Sequence, residues 1–328
     1  MTAPASGPAA PTVPPVSALS AGSTRRGDRT FFALTGASGA LMVLTILAIG
    51  IFLVVKAVPA LQADTTSFFT TKVFLPEAAK PTFGIAVLAF GTVLTSLIAM
   101  VLAVPVALGV ALFITQYAPR KAAGLLGGLV DLLAAVPSVV YGLWGLAFLN
   151  GHLQVVNKSL NSTLGWIPIF GDTRGQYSKS ILLAGLVLAI MVLPIIAALA
   201  REVLLQVPST LSEAALALGA TRWETIRTAV LPPSWPGIVS AIMLGLGRAL
   251  GETIAVALVL GVSPEITIHI LGPGTNTIAA NIATKFSEYA DSGRGALIAS
   301  GLVLFVITFA VNALARFVVV RSARRRLG

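Results

Sequence analysis

The stretch PGIVSAIMLGLGRALGETIAVALVLGV, residues 236–262, decides what kind of molecule this chain is. As a helix it would be roughly 40 Å long, enough to cross a bilayer, yet it carries Arg248 and Glu252 near its middle. A charged side chain at the centre of a membrane helix costs about 2.5–3.5 kcal/mol on insertion scales, so it is expected to face a protein interior or a polar passage. Four residues make little more than one turn, which places the two side chains roughly 40° apart on one face. Ala241, Gly245 and Ala255 share that face, while Leu246, Leu250, Ile254 and Leu258 lie opposite. Gly247 and Gly251 form a small-xxx-small pair that predicts close approach of a second helix.

The rest of the chain is of the same character. Its 328 residues are 56% hydrophobic and only 10% charged, with a mean hydropathy of +0.93, which describes a polytopic membrane protein. The net charge of +10 raises nucleic acid as a partner, but that needs a basic face with aromatic platforms. Here the basic residues lie between and after apolar runs, where they report topology. Without cysteine there are no disulfides, thiol nucleophiles or cysteine metal sites. No G-x-x-x-x-G-K-[ST], H-E-x-x-H or G-x-S-x-G occurs either, so the sequence points to no nucleotide site, no cofactor and no hydrolase on this chain.

Working outward, apolar runs at Phe31–Val55, Thr82–Tyr117, Ala122–Leu149, Ser180–Ala200, Pro236–Val262 and Ala296–Ala315 predict six transmembrane helices and an all-α polytopic fold. The first is too long for a signal peptide and is expected to be retained. Pro105 in the second predicts a kink, tilt or extension. Thirteen Lys and Arg flank one side of these runs and eight the other, and the second side also collects Asp64, Glu77, Asp172, Glu265, Glu288 and Asp291. The more basic side is the cytosolic one, which places both termini there. The first 24 residues hold Pro, Ala, Ser and Gly with no charge and are expected to be disordered.

Of the cytosolic segments only EVLLQVPSTLSEAALALGATRWETIRTAVLPPSWPG is long. It predicts a short helix over Leu211–Leu218, a break at Gly219, a second short helix capped by Thr221, and a stop at Pro232, Pro233 and Pro236. Two short helices meeting at a glycine make a knob suited to a partner's groove. Glu213, Ala214, Ala215, Gly219, Leu231 and Pro232 stand at the spacing of the EAA loop of bacterial ABC-importer permeases, with Ala229 where that signature has isoleucine. The chain resembles this family. The stretches AVPVALGVALFITQYAPR, DLLAAVPSVVYGLWGLAFL and GLGRALGETIAVALV narrow the resemblance to phosphate-import permeases of the PstC/PstA type, and its long outside segments look more like PstC.

The resemblance implies a type-1 ABC importer permease (MetI-like) fold in the bacterial plasma membrane. It implies the following partners: a second, PstA-like permease, two ATPase subunits that hydrolyse the ATP, and an extracytoplasmic phosphate-binding protein. It also implies that the EAA residues couple this chain to the ATPase. The expected organisation is a disordered cytosolic tail at 1–29, the first span and outside loop at 30–82, a permease domain at 83–320 with its coupling loop at 209–236, and a basic tail at 321–328.

Arg248, Glu252 and Asp131 are the candidate pathway residues. A phosphate crossing a bilayer sheds the water around its charge, and a guanidinium fork can replace it, binding two oxygens without deprotonating. Glu252 is expected to pair with Arg248 when no substrate is present; alternatively the two are only an ion pair fixing helices. Asp131 is expected to sit inside the third span, as a gate group or the partner of an arginine on a neighbouring helix. Pro137, Ser138, Tyr141 and Gly142 read as a kink and packing device, His152 and His269 as surface residues, and Gly272–Phe286 as a bent re-entrant or docking segment. A permease for another oxyanion, an ion-coupled carrier and a lipid-phosphate enzyme are the competing functions, though no internal repeat supports the carrier and no second catalytic group supports the enzyme.

Overall fold

The computed structural model describes the backbone of residues 26–171, 174–261, 263 and 265–324, and the side chains of all of these but 26 and 318–324. The expected N-terminal tail lies almost wholly outside the described residues, as do Arg25, Asp172, Val262, Arg325 and Arg326. The chain divides into two units, 1–51 and 52–328. The first contributes the start of helix α1, Arg26–Ala63, which begins before the expected tail has ended. Its apolar side chains from Phe31 to Ile51 are exposed, as a lipid-facing span requires.

Among the described residues six helices are long and apolar enough to cross a membrane, and the centre of the second unit is α6, Ile181–Leu205. It is packed by α2, Ala86–Leu112, and by α9, Leu231–Leu250. Among lipid tails the hydrophobic effect does not drive helices together, so small residues that let backbones close in do the work. A Cβ on Gly185 of α6 would stand 2.5 Å from Ile98 of α2, and one on Gly245 of α9 would stand 2.6 Å from Ile196 of α6. The close approach of α9 to α6 therefore uses Gly237 and Gly245. Gly247, which the sequence nominated, meets nothing within 4 Å, and Gly251 meets only its own helix.

Two expected spans are built differently. The run Ala122–Leu149 is two helices, α3 at Arg120–Ala134 and α4 at Ser138–Trp144, because Pro137 lacks an N–H and forces its predecessor out of the helical region. Leu133 O, left without an intrahelical donor, accepts from Tyr141 Oη at 2.9 Å and from Val136 N at 3.3 Å. The helical path then runs on through a wide turn at Gly145–Leu149 into α5, Asn150–Leu164, where the sequence predicted an outside loop. Its asparagines are internal ties. Buried Asn157 donates to Ser180 Oγ at 3.1 Å, and Asn150 Oδ1 accepts from Lys179 N at 2.8 Å.

The run Pro236–Val262 breaks too. α9 ends at Leu250, Gly251–Thr253 are non-helical, and α10 spans Ile254–Val259. Gly251 has low helix propensity, and Glu252 Oε1 accepts from Ala255 N at 3.2 Å, which starts a new helix instead of prolonging the old one. At its other end α9 does not stop at the prolines. Pro232 and Pro233 occupy its first turn, where a missing N–H costs little.

The remaining segments fold back onto the spans. A short hairpin pairs β1, Phe74–Leu75, with β2, Thr82–Phe83. Gly272–Phe286 runs past the start of α6, with Ile181 N donating to Gly272 O at 3.0 Å, and then forms α11, Ile278–Lys285. Ile278, Ala279, Ala280 and Asn281 of α11 are buried, and Ile278 N donates to Thr92 Oγ1 of α2 at 2.9 Å. The last helix, α12, spans Asp291–Arg324 and so absorbs Arg321 and Arg324 of the expected basic tail.

Candidate functional site

Arg248 lies in the last turn of α9 and is exposed. On the helix it shares an arc with Ser240, Leu244, Gly247 and Gly251, none of which is buried by the rest of the chain. Ala241 and Gly245, on the adjoining arc, are buried. Among the described residues no ion pair reaches Arg248. The expected pair with Glu252 is absent because the break at Gly251 destroys the four-residue helical spacing that would have juxtaposed them. Glu252 is instead buried, 7% exposed, and caps α10.

α10 is pressed against α4, where glycines clear its way. A Cβ on Gly142 would stand 2.8 Å from Ala255 Cα, and one on Gly145 would stand 3.2 Å from Val259. The cluster DLLAAVPSVVYG thus supplies both the proline break and the smooth surface that receives the second half of the broken charged segment. Asp131 is not beside Arg248 or Glu252 in any bonded sense. It stands on α3 and takes Arg201 Nη2 of α6 at 3.2 Å. Arg201, counted in the sequence only as a topology marker, is the residue that sequence reasoning missed; a lone arginine at a span's end gives no spacing signal.

The segment expected to couple is presented outward. α7, Ser209–Ala217, has no buried residue, so Glu213 and Ala214 are exposed. Gly219 turns the chain at φ +85°, a left-handed conformation that glycine adopts without penalty. Thr221 then caps α8, Arg222–Thr225: Thr221 Oγ1 accepts from Glu224 N at 3.3 Å, and the Glu224 carboxylate accepts from Thr221 N at 2.7 Å. Behind this exposed knob, Val230 and Leu231 anchor it against Ala111, Ala200 and Leu204 at the ends of α2 and α6. At the other end of the spans, Lys285 is raised above its usual pKa by its 2.5 Å bond to Glu288, and burial raises Tyr289.

Comparison with known proteins places this geometry. The family model described as binding-protein-dependent transport system inner membrane component matches residues 103–324. The "Phosphate transport system permease protein PstC 2" of Mycobacterium tuberculosis (strain ATCC 25618 / H37Rv) is 45% identical over 309 residues, covering 93% of this chain and 95% of the relative. The PstC permease protein of Xylella fastidiosa (strain Temecula1 / ATCC 700964) is 41% identical over 303 residues, covering 92% and 93%. A crystal structure of a bacterial ABC transporter involved in the import of the acidic polysaccharide alginate aligns with 89% of this chain and 98% of its own at a TM-score of 0.52 and 17% identity, a likeness of fold. The chain is a member of the binding-protein-dependent transport system inner membrane components, and among them it belongs with the PstC permease proteins.

Proposed function

We propose that this chain is one permease half of an ATP-driven importer of inorganic phosphate in the bacterial plasma membrane, with both termini cytosolic. The observation that carries the proposal is Arg248, exposed and without an ion pair among the described residues, on an arc of α9 whose residues are not buried by the described helices of its own unit. Left against lipid, such a group costs about 2.5–3.5 kcal/mol, so the arc belongs against a second permease or a watered passage between the two. There the guanidinium offers two parallel donors to a phosphate that has shed its hydration. Glu252, buried beyond the break, caps α10 and holds the second half of the broken segment in place. Asp131, a carboxylate paired with Arg201, serves as the partner of an arginine on a neighbouring helix rather than as a direct ligand for an anion.

The remaining partners follow from the exposed knob and from the family. Glu213, Ala214, Ala215 and Gly219 dock into an ATPase chain, two of which serve the complex, while Leu231 and Pro232 root the knob at α9. An extracytoplasmic phosphate-binding protein delivers the substrate, and the second permease is PstA-like. The PstC names of the relatives support phosphate over other oxyanions.

Reconstitution into proteoliposomes tests this. The complete assembly is expected to take up labelled phosphate only when ATP, the ATPase chains and the binding protein are all present, with sulfate and molybdate failing to compete. Uptake without ATPase chains would indicate a carrier, and release of phosphate from lipid an enzyme; either would defeat the proposal.

A further inference from the structure

We infer that Arg201, Asp131 and Glu202 form a latch that carries movement of the coupling segment to the elbow between α3 and α4. The inference rests on the importer reading above. Arg201 sits on α6 one turn before its end at Leu205, and α7 begins at Ser209, so the guanidinium rides on the last turn of the helix that leads into the coupling knob. It crosses to α3, where Nη2 donates to Asp131 Oδ2 at 3.2 Å and Oδ1 at 3.4 Å. It also rests on the backbone of Gly127: a Cβ there would overlap the guanidinium. Asp131 is one turn from Ala135–Pro137, the three residues that separate α3 from α4.

Three features make this a latch rather than a fixed tie. First, Gly127 is the only residue of α3 that is buried, so little apolar packing holds the helix and moving it is cheap. The Arg201–Asp131 pair is the ion pair that joins α3 to α6 among the described residues.

Second, Glu202 Oε1 takes the same Nη2 at 2.8 Å. Glu202 travels with α6, so only the Asp131 bond crosses between helices. When α3 departs, the arginine, 14% exposed, keeps one carboxylate and is never left as an unpaired charge. Asp131, 52% exposed, returns to water. An exchange of this kind has two low-cost states, which is what a switching element needs.

Third, the elbow is closed at its other side by Tyr141 Oη of α4 on Leu133 O of α3. A tilt of α3 is thereby handed to α4, on which α10 and the Glu252 break are packed. A chain of contacts thus links the coupling knob to the pathway without touching substrate, and Arg201 acts in it as a positioning residue.

The test measures phosphate uptake and ATP hydrolysis separately in proteoliposomes holding the complete assembly. Arg201→Gln is expected to leave binding-protein-stimulated hydrolysis in place while uptake per ATP falls about tenfold, a typical coupling energy between sites. Gly127→Ala keeps every charge but pushes the guanidinium aside, and should lower the same ratio with the chain at wild-type abundance. Arg201→Lys keeps a cation between Asp131 and Glu202 and should hold the ratio above that of Arg201→Gln. An unchanged ratio in Arg201→Gln, a loss confined to abundance, failure of both single variants to assemble, or an Arg201→Lys ratio no higher than that of Arg201→Gln would overturn the latch. Absence of ATP-driven phosphate uptake by the wild-type assembly would instead defeat the importer reading, and the latch with it.

Discussion

Replacing Arg248 with Gln should abolish most transport while leaving the protein intact, and the structure supplies the size of both effects. Among the described residues no carboxylate pairs with Arg248, which is exposed, so its removal orphans none of them and membrane abundance should match wild type. On the proposed role, the guanidinium fork would make two hydrogen bonds to an anion in the passage, each worth about 1.5–3 kcal/mol. Glutamine restores one neutral donor, so the net loss is about 3 kcal/mol, or roughly a hundredfold in rate at 1.36 kcal/mol per decade. Arg248→Lys keeps the charge and loses the fork, and should fall between, about tenfold down. The assay is the initial rate of labelled phosphate uptake in cells lacking their own importer, normalised to the amount of permease in the membrane. A normalised rate for Arg248→Gln within about threefold of wild type, which is under 1 kcal/mol, would refute the assignment of this side chain to the passage.

Gly245→Val should lower membrane abundance, because its side chain would be driven into Ile196 at a cost of about 1–3 kcal/mol, whereas Gly247→Val, facing open space within this chain, should leave abundance unchanged; immunoblots of membrane fractions compare them. Gly219→Val forces a β-branched residue to φ +85°, costing about 1–2 kcal/mol, and should reduce co-purification of the ATPase chains while the spans remain folded. Asn157→Ala removes an amide whose Nδ2 serves Ser180 Oγ, Leu271 O and Tyr177 O, and should cost about 1–3 kcal/mol, seen as a lower melting temperature in detergent.

Sequence alone was enough for the class, for the number of spans found among the described residues and for the two short helices that meet at Gly219. Long apolar runs have one outcome in a bilayer, where the backbone must satisfy itself, and a glycine between two short amphipathic stretches has few conformations open to it. The EAA spacing is local in the chain, and local patterns can be read in one dimension. Arg248 and Glu252 announced themselves by the cost of charge among apolar neighbours.

What only the tertiary structure decided is where those spans break and what each charge does about it. Hydropathy sums over windows and is blind to a single residue, so Pro137 and Gly251, which divide two apparent helices, left the average unchanged. Whether Gly245 or Gly247 receives a neighbour depends on which arc of α9 meets α6, and both glycines lie in the same apolar run. Asp131 and Arg201 are 70 residues apart and meet only because α3 folds back on α6. An ion pair of that separation is a property of packing, and no spacing rule along the chain encodes it.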